Sequence, residues 1–225
     1  MGLDPGNQKI YKVSAPSGQV IATYDLPDPS QPRRLCYKDG WIWSHTKNSL
    51  VKLLQRGPTD ISELSNINGL ATDGTDFWLI GEYAGSYKLY EANESGTILS
   101  TIEIPYNTTT QQLQALAYRD GGVYVTVFPS GPIYRIDPSN GSRTTTDLRV
   151  RSFSFDMTFL GTELWQTHDN NDVKRFDVYD QSGHEFPGPV SRRKSITSDG
   201  TYLYIGDAGN QKIYKVSAPS GQVIA

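Results

Sequence analysis

The sequence predicts an all-β fold of repeated four-stranded antiparallel sheets, and three observations predict it. Fourteen Tyr, four Trp and seven Phe stand beside 21 Gly and 13 Pro, the balance of aromatic-rich strands broken often by turns. A unit recurs along the chain: an apolar–small pair, Asp-Gly, a β-run with an aromatic residue, a polar turn, a second β-run with Tyr, a Gly turn and a third β-run. The stretch GNQKIYKVSAPSGQVIA occurs twice, at 6–22 and at 209–225, its seventeen residues identical and 203 positions apart.

The units follow in order. Residues 4–27 supply only a last half, IYKV (10–13), a turn at Pro16-Ser17-Gly18 and QVIATYDLP (19–27). The next unit opens on Leu35-Cys36, turns at Asp39-Gly40, and continues with WIW (41–43) and SLVKLL from Ser49. The clearest has Leu70-Ala71, Asp73-Gly74, FWLIG (77–81), YKLYEA (87–92), Gly96 and ILSTIEIP (98–105). Leu116-Ala117, Asp120-Gly121, VYVTV (123–127), IYRID (133–137) and Gly141 repeat the scheme. In the most divergent unit Leu160-Gly161 replaces Asp-Gly before ELWQTH (163–168), VKRFDV (173–178) and Gly183. The last has Ile196-Thr197, Asp199-Gly200, YLYIG (202–206) and the second IYKV (213–216). Helix signals are nearly absent; the best window, Thr109–Tyr118, reads at most as a helical turn leading into a strand.

The turn glycines at 40, 74, 121, 161 and 200 are spaced by 34, 47, 40 and 39 residues. A four-stranded unit of about 40 residues is the period of a propeller blade. The 203-residue offset then spans one full ring, which predicts a single five-bladed β-propeller of four-stranded antiparallel blades. The blades are expected at 33–66, 67–105, 113–150 and 151–191, with a closing blade made from 193–216 plus 17–27. The ring is thus expected to close with strands from both termini, Gln19–Leu26 outermost. Closure removes wet sheet faces and edges. The apolar–small pairs Leu35-Cys36, Leu70-Ala71, Leu116-Ala117, Met157-Thr158 and Ile196-Thr197 are expected on the innermost strands, their small members at the crowded centre. Because the other units have diverged, the perfect duplication points to deliberate engineering or permutation, or to recent amplification of a tandem array. A spare copy can seal another molecule's ring, so the chain is expected as a monomer or a strand-swapped homo-oligomer.

Composition excludes several classes of function. With 21 basic and 24 acidic residues interspersed and a net charge of −3, the chain has no polyanion footprint, and no nucleic-acid partner is expected. No apolar run of about 18 residues occurs, so no membrane partner is expected. The single Cys36 cannot form an internal disulfide and reads as a buried, inert thiol. No metal site and no cofactor is expected, because no carboxylate cluster or Cys/His spacing appears. The start Met1-Gly2-Leu3-Asp4 looks recombinant, and sequons stand at Asn93, Asn107 and Asn140; the compartment stays open, a secreted parent included.

The stretches GLATDGTDFWLIGEYAGSYKLYEANESGTILSTIEIP and SITSDGTYLYIGDAGNQKIYKVSAPSGQVIA resemble blades of bacterial propellers with repeats of the type L-x-x-D-G-x-x-L-W … I-Y-K-I-D-x-x-x-G. The resemblance covers essentially the whole chain and implies the fold. Around Trp78–Tyr90 and Trp165–Arg175 the chain is also similar to five-bladed glutaminyl cyclases. That resemblance implies cyclisation of an N-terminal glutamine assisted by a carboxylate, with Glu82 and Asp169 as loosely placed counterparts. The glutamate-rich motifs of that family are lacking.

Propeller ligands sit at a channel mouth, where loops converge on a rigid scaffold. Trp43, Trp78, Tyr124, Trp165 and Tyr204 align as one aromatic per blade; they read as inter-blade packing, or else as stacking platforms for sugars. Just beyond them come His45, Glu82, Tyr83, His168, Asp169, Asn170 and Asp207, which can bind a polar ligand or cap their own turns. Arg34, Asn68, Gln114, Asp156 and Lys194 are expected at the opposite end of the channel, gripping an anionic group or pairing across it. The function expected is non-catalytic recognition of a carbohydrate or peptide at the channel mouth. The alternatives are a glutaminyl-cyclase-like enzyme and a structural protein that assembles by strand exchange.

Overall fold

In the computed structural model the Asp-Gly turns and β-runs of the sequence become antiparallel hairpins. The structure describes residues 2–4, 9–13, 20–25, 34–39, 41–45, 49–52, 59–60, 67–83, 86–104, 112–128, 131–150, 154–168, 172–177, 183–187, 194–207 and 212–217. Among them every regular element is a strand, and no helix is long and apolar enough to cross a membrane.

Six sheets follow in chain order. Sheet I contains β1 (Gly2–Asp4), β2 (Lys9–Val13) and β3 (Val20–Asp25). Sheet II contains β4 (Leu35–Lys38), β5 (Trp41–His45), β6 (Ser49–Lys52) and β7 (Thr59–Asp60). Sheet III contains β8 (Ile67–Thr72), β9 (Phe77–Tyr83), β10 (Ser86–Ala92) and β11 (Ile98–Ile104). Sheet IV contains β12 (Gln112–Arg119), β13 (Gly122–Phe128), β14 (Gly131–Ile136) and β15 (Arg143–Val150). Sheet V contains β16 (Ser154–Leu160), β17 (Glu163–His168), β18 (Asp172–Asp177) and β19 (Gly183–Pro187). Sheet VI contains β20 (Lys194–Ser198), β21 (Leu203–Asp207) and β22 (Lys212–Val216). Where a helical turn is conceivable from Thr109–Tyr118, the residues from Gln112 onward form β12, because alternation with Val123–Phe128 on β13 overrides local propensity.

The turns explain the Asp-Gly signature. Asp39 (φ 51°) and Asp120 (φ 47°) are left-handed, and Asp120-Gly121 is a two-residue loop between the paired Arg119 and Gly122. Asp tolerates this region better than bulkier residues, and two left-handed residues match the twist of a hairpin. In sheets III and VI the loops are longer. Asp73 Oδ1 accepts the N–H groups of Thr75 and Asp76 at 2.8 Å each, and Trp78 Nε1 donates to its Oδ2 at 3.0 Å. Asp199 does the same for Thr201, Tyr202 and the Tyr204 hydroxyl, at 2.9, 2.7 and 2.7 Å. Thus Asp organises the turn and fastens the aromatic of the following strand.

Apolar side chains from neighbouring sheets meet face to face. Trp43 and Phe77 pack between II and III at 4.6 Å, Trp78 stacks on Tyr118 between III and IV, and Tyr124 meets Phe159 edge-on between IV and V. Trp165 joins Ile196, Leu203, Ile205 and Val216 between V and VI. At the centre, the first strands touch in succession: β4 with β8, β8 with β12, β12 with β16, β16 with β20, and β20 with β4.

The duplicated segment behaves differently from expectation. Gln19–Leu26 is expected outermost on the sheet of the C-terminal half; instead β3, which begins in the N-terminal copy and runs on to Asp25, pairs with β2. The N-terminal copy thus makes its own sheet, whose β1 lies against β21 and β22.

Candidate functional site

The second strand of each sheet runs back along the first, so its end lies beside the first strand's start. Leu35 stands opposite Ser44, Ile67 opposite Gly81, Gln112 opposite Phe128, Ser154 opposite His168 and Lys194 opposite Asp207. His45, Glu82, Tyr83, His168 and Asp207 therefore belong to the same end of the channel as Arg34, Asn68, Gln114, Asp156 and Lys194. The expectation that the two sets occupy opposite ends is corrected by antiparallel pairing itself. Asp169 and Asn170 lie outside the described residues.

That end is irregular. Three inner strands carry a β-bulge there, between Ile67 and Gly69, between Leu113 and Leu116, and between Ser154 and Asp156. An extra residue bends a strand and re-aims its side chains; Asn68 and Gln114 sit within two of these bulges, and Phe155 within the third. Threonines of the second strands support two of them: Thr126 Oγ1 accepts the N–H of Ala115 at 3.1 Å, and Thr167 Oγ1 donates to the carbonyl of Asp156 at 3.5 Å. Strands β8 and β12 approach closely at Gly69, where an added Cβ would collide with the Gln114 carbonyl oxygen and lie 2.9 Å from Leu116 Cγ.

Asp156 is fully buried and links three strands. Its Oδ2 accepts the Ile196 N–H of β20 at 3.1 Å, and its Oδ1 lies 4.0 Å from Nε of Arg34, which leads into β4. A buried carboxylate needs such partners, because desolvation is costly. Burial, and then the charge of Asp156, push the Cys36 thiol well up, with Lys38 opposing, so Cys36 is an unreactive thiol.

Sheet V adds a polar face toward sheet IV. Gln166 and His168 share the face of Leu164 on β17 and alternate with Trp165 and Thr167, and Ser154 stands opposite His168. All three polar side chains are buried, Gln166 and His168 with no exposure at all. Among the described residues neither amide atom of Gln166, nor Oγ of Ser154, nor Oε1 of Gln114 has a hydrogen-bond partner. In sheets III, IV and VI the position of Gln166 holds Leu79, Val125 and Ile205, all buried, and in sheet II it holds Ser44. Neither Gln166 nor Ser154 stands out in the sequence alone; only comparison of aligned positions shows Gln166, with Ser44, as polar where sheets III, IV and VI are apolar.

The later half of the inner strands is different. There a cavity of about 130 Å³ is lined by all five, including Cys36, Ala71, Ala117, Thr158 and Thr197. These are the small members of the apolar–small pairs, placed at the centre as expected. The three tryptophans have no open ring face to serve as sugar platforms: Trp43, Trp78 and Trp165 are 2%, 4% and 1% exposed. Among the described residues no group of three or more His, Cys, Asp or Glu is placed to hold a metal ion.

No family model and no curated protein matches the sequence. Solved structures do. A chain of a nidogen/laminin complex superimposes with a TM-score of 0.72 at 13% identity, over 97% of this chain and 89% of that one. A Bacteroides caccae protein of unknown function gives 0.69 at 14%, over 100% and 90%. Myxococcus xanthus glutaminyl cyclase gives 0.62 at 13%, over 82% and 88%. At these identities the likeness is one of fold, and that fold is a β-propeller.

Proposed function

We propose that sheets II to VI are the five blades of one propeller, and that it is a recognition module which binds a polar ligand where the inner strands begin. The ligand class is a carbohydrate or the backbone of a peptide, both dense in neutral hydrogen-bonding groups. One observation carries the reading. Ser154, Gln166 and Gln114 bury polar atoms without partners among the described residues at this end of the channel, each at a cost of about 1–3 kcal/mol. Such groups call for an explanation in a well-packed fold, and a ligand that supplies their partners is one. The Arg34–Asp156 pair would orient the ligand's dipoles. The test is titration with glycan and peptide panels, followed by tryptophan fluorescence and melting temperature. A saturable response, lost in Gln166→Leu, is expected; no response to any panel member overturns the reading.

A further inference from the structure

The cavity at the later end of the inner strands is walled unevenly. Its small polar side chains lie together, Thr158 on β16 with Thr197 and Ser198 on the neighbouring β20. On the other three strands of the ring the positions of Thr158 and Thr197 hold Cys36, Ala71 and Ala117. Leu70, Leu116 and Met157, each one residue nearer its strand's start, close the cavity on that side. The described residues that line it carry no charge.

Ser198 Oγ accepts the Gly200 N–H at 3.0 Å, which leaves its own O–H to donate. Thr72 is engaged by its turn instead: its Oγ1 donates to the Asp76 carbonyl at 2.8 Å and accepts the Gly74 N–H at 3.0 Å. Below the mouth, the hydrogen-bonding wall therefore belongs to sheets V and VI. The volume, about 130 Å³, suits a single six-membered ring, since an apolar protein cavity of about 150 Å³ holds one benzene molecule. Close approach of five strands requires small side chains, but it does not require the space between them to stay open, and open space in a core lowers stability.

We propose that this cavity is a second binding site, for a small neutral aromatic ring that carries its hydrogen-bonding group on one edge, phenol being the simplest of the class. The ring's hydroxyl turns to Thr158, Thr197 and Ser198, and its apolar body to Ala71, Ala117 and Leu116. Met157 and Cys36 bring sulfur to the wall, and sulfur makes favourable contacts with aromatic rings. Tyr37, Tyr118 and Phe159, half-buried at the mouth, add ring-to-ring contacts. A sugar fits less well, because the hydroxyls all round it would face Ala71 and Ala117 without partners. A charged ligand would meet no counter-charge on the wall. The site lies at the opposite end of the channel from Ser154 and Gln166, and goes beyond the recognition reading.

The experiment follows para-fluorophenol by fluorine NMR as the full chain is added. A saturable broadening of its line is expected, reversed by excess phenol and not by glucose. Fluorobenzene, which lacks the hydroxyl, is expected to bind about fivefold more weakly, the fold-change of one neutral hydrogen bond. Thr158→Val combined with Thr197→Val keeps the side-chain shape and removes two hydroxyls, so the preference for para-fluorophenol over fluorobenzene should vanish. Ala117→Leu fills the cavity and should abolish the response. No saturable response in the parent overturns the proposal, and so does displacement by glucose, an unchanged preference in the valine pair, or a response that survives in folded Ala117→Leu. Should Ala117→Leu fail to fold, the valine pair decides. No glycan or peptide has to bind for this test to succeed, so its failure and that of the recognition reading are told apart.

Discussion

The two ends of the channel are made by the same five strands, yet they are built on different principles. At the later end four of the strands finish in Asp-Gly turns, small residues surround a cavity, and the Asp73 and Asp199 carboxylates each accept three local hydrogen bonds. At the starting end three strands bulge, Asp156 is buried, and Gln166 and Ser154 have unpartnered atoms. The regular end follows the repeat and secures the fold; the irregular end departs from it. Departures of this kind concentrate at functional sites, because the rest of the structure has to offset them.

The largest expected break in this contrast is at Gly69. Gly69→Ala places a methyl group against the Gln114 carbonyl, a backbone atom that cannot swing aside. Overpacking of this sort costs about 1–3 kcal/mol or more. Gly74, at the other end, has φ 97° and nothing within 4 Å of an added Cβ, so Gly74→Ala costs only backbone strain, about 1–2 kcal/mol. Denaturant midpoints should rank Gly69→Ala as the more damaging. The reverse order would mean that the close approach of β8 and β12 is relieved by a small shift.

A smaller effect tests the latches of the regular end. Trp78→Phe and Tyr204→Phe each remove a ring donor to a turn carboxylate while keeping most of the packing. A hydrogen bond to a charged group contributes about 1.5–3 kcal/mol, less here because Asp73 and Asp199 are partly solvated. Losses near 1 kcal/mol are expected in both variants. Equal stability to the parent would reduce the Asp-Gly signature to turn chemistry alone.

The smallest effect is one of pH. Partial burial pushes the Asp199 carboxyl up, but the Tyr202 N–H, the Tyr204 hydroxyl, the Thr201 N–H and the Lys215 ammonium outweigh it and hold the group below its usual 3.8. The same contact, after burial, raises the Tyr204 hydroxyl. A carboxyl whose folded pKa is depressed contributes stability above the unfolded value and loses it as pH falls through the folded one. The acid limb below about pH 4 should therefore flatten in Asp199→Asn, measured by melting at a series of pH values. An unchanged slope would mean that other carboxylates dominate acid unfolding.

Much of the fold is legible in the sequence because blade repeats encode it locally. The runs WIW, FWLIG, VYVTV, ELWQTH and YLYIG all become second strands, and the apolar–small pairs all reach the centre. The bulges are not legible, since an extra residue exists only relative to the partner strand: nothing within INGLAT shows that Asn68 is unmatched between Gly81 and Ile80. The two halves of the site read as opposite ends because turn residues and strand starts are far apart in sequence; pairing brings Lys194 beside Asp207 and Ser154 beside His168. Gln166 hides inside a run that alternates correctly. The duplicated segment is ambiguous for a simpler reason, since identical residues specify identical strands, and their pairing is decided by what each copy adjoins.

The most direct test of the account is the thermal stability of Gln166→Leu, with and without ligand. If the starting end of the channel keeps unpartnered polar atoms for recognition, leucine removes them and restores the residue type of Leu79. The melting temperature should then rise, by a stabilisation of about 1–3 kcal/mol, while the response to glycan or peptide disappears. A melting temperature below that of the parent, with ligand response retained, would show that Gln166 serves the core and that recognition lies elsewhere.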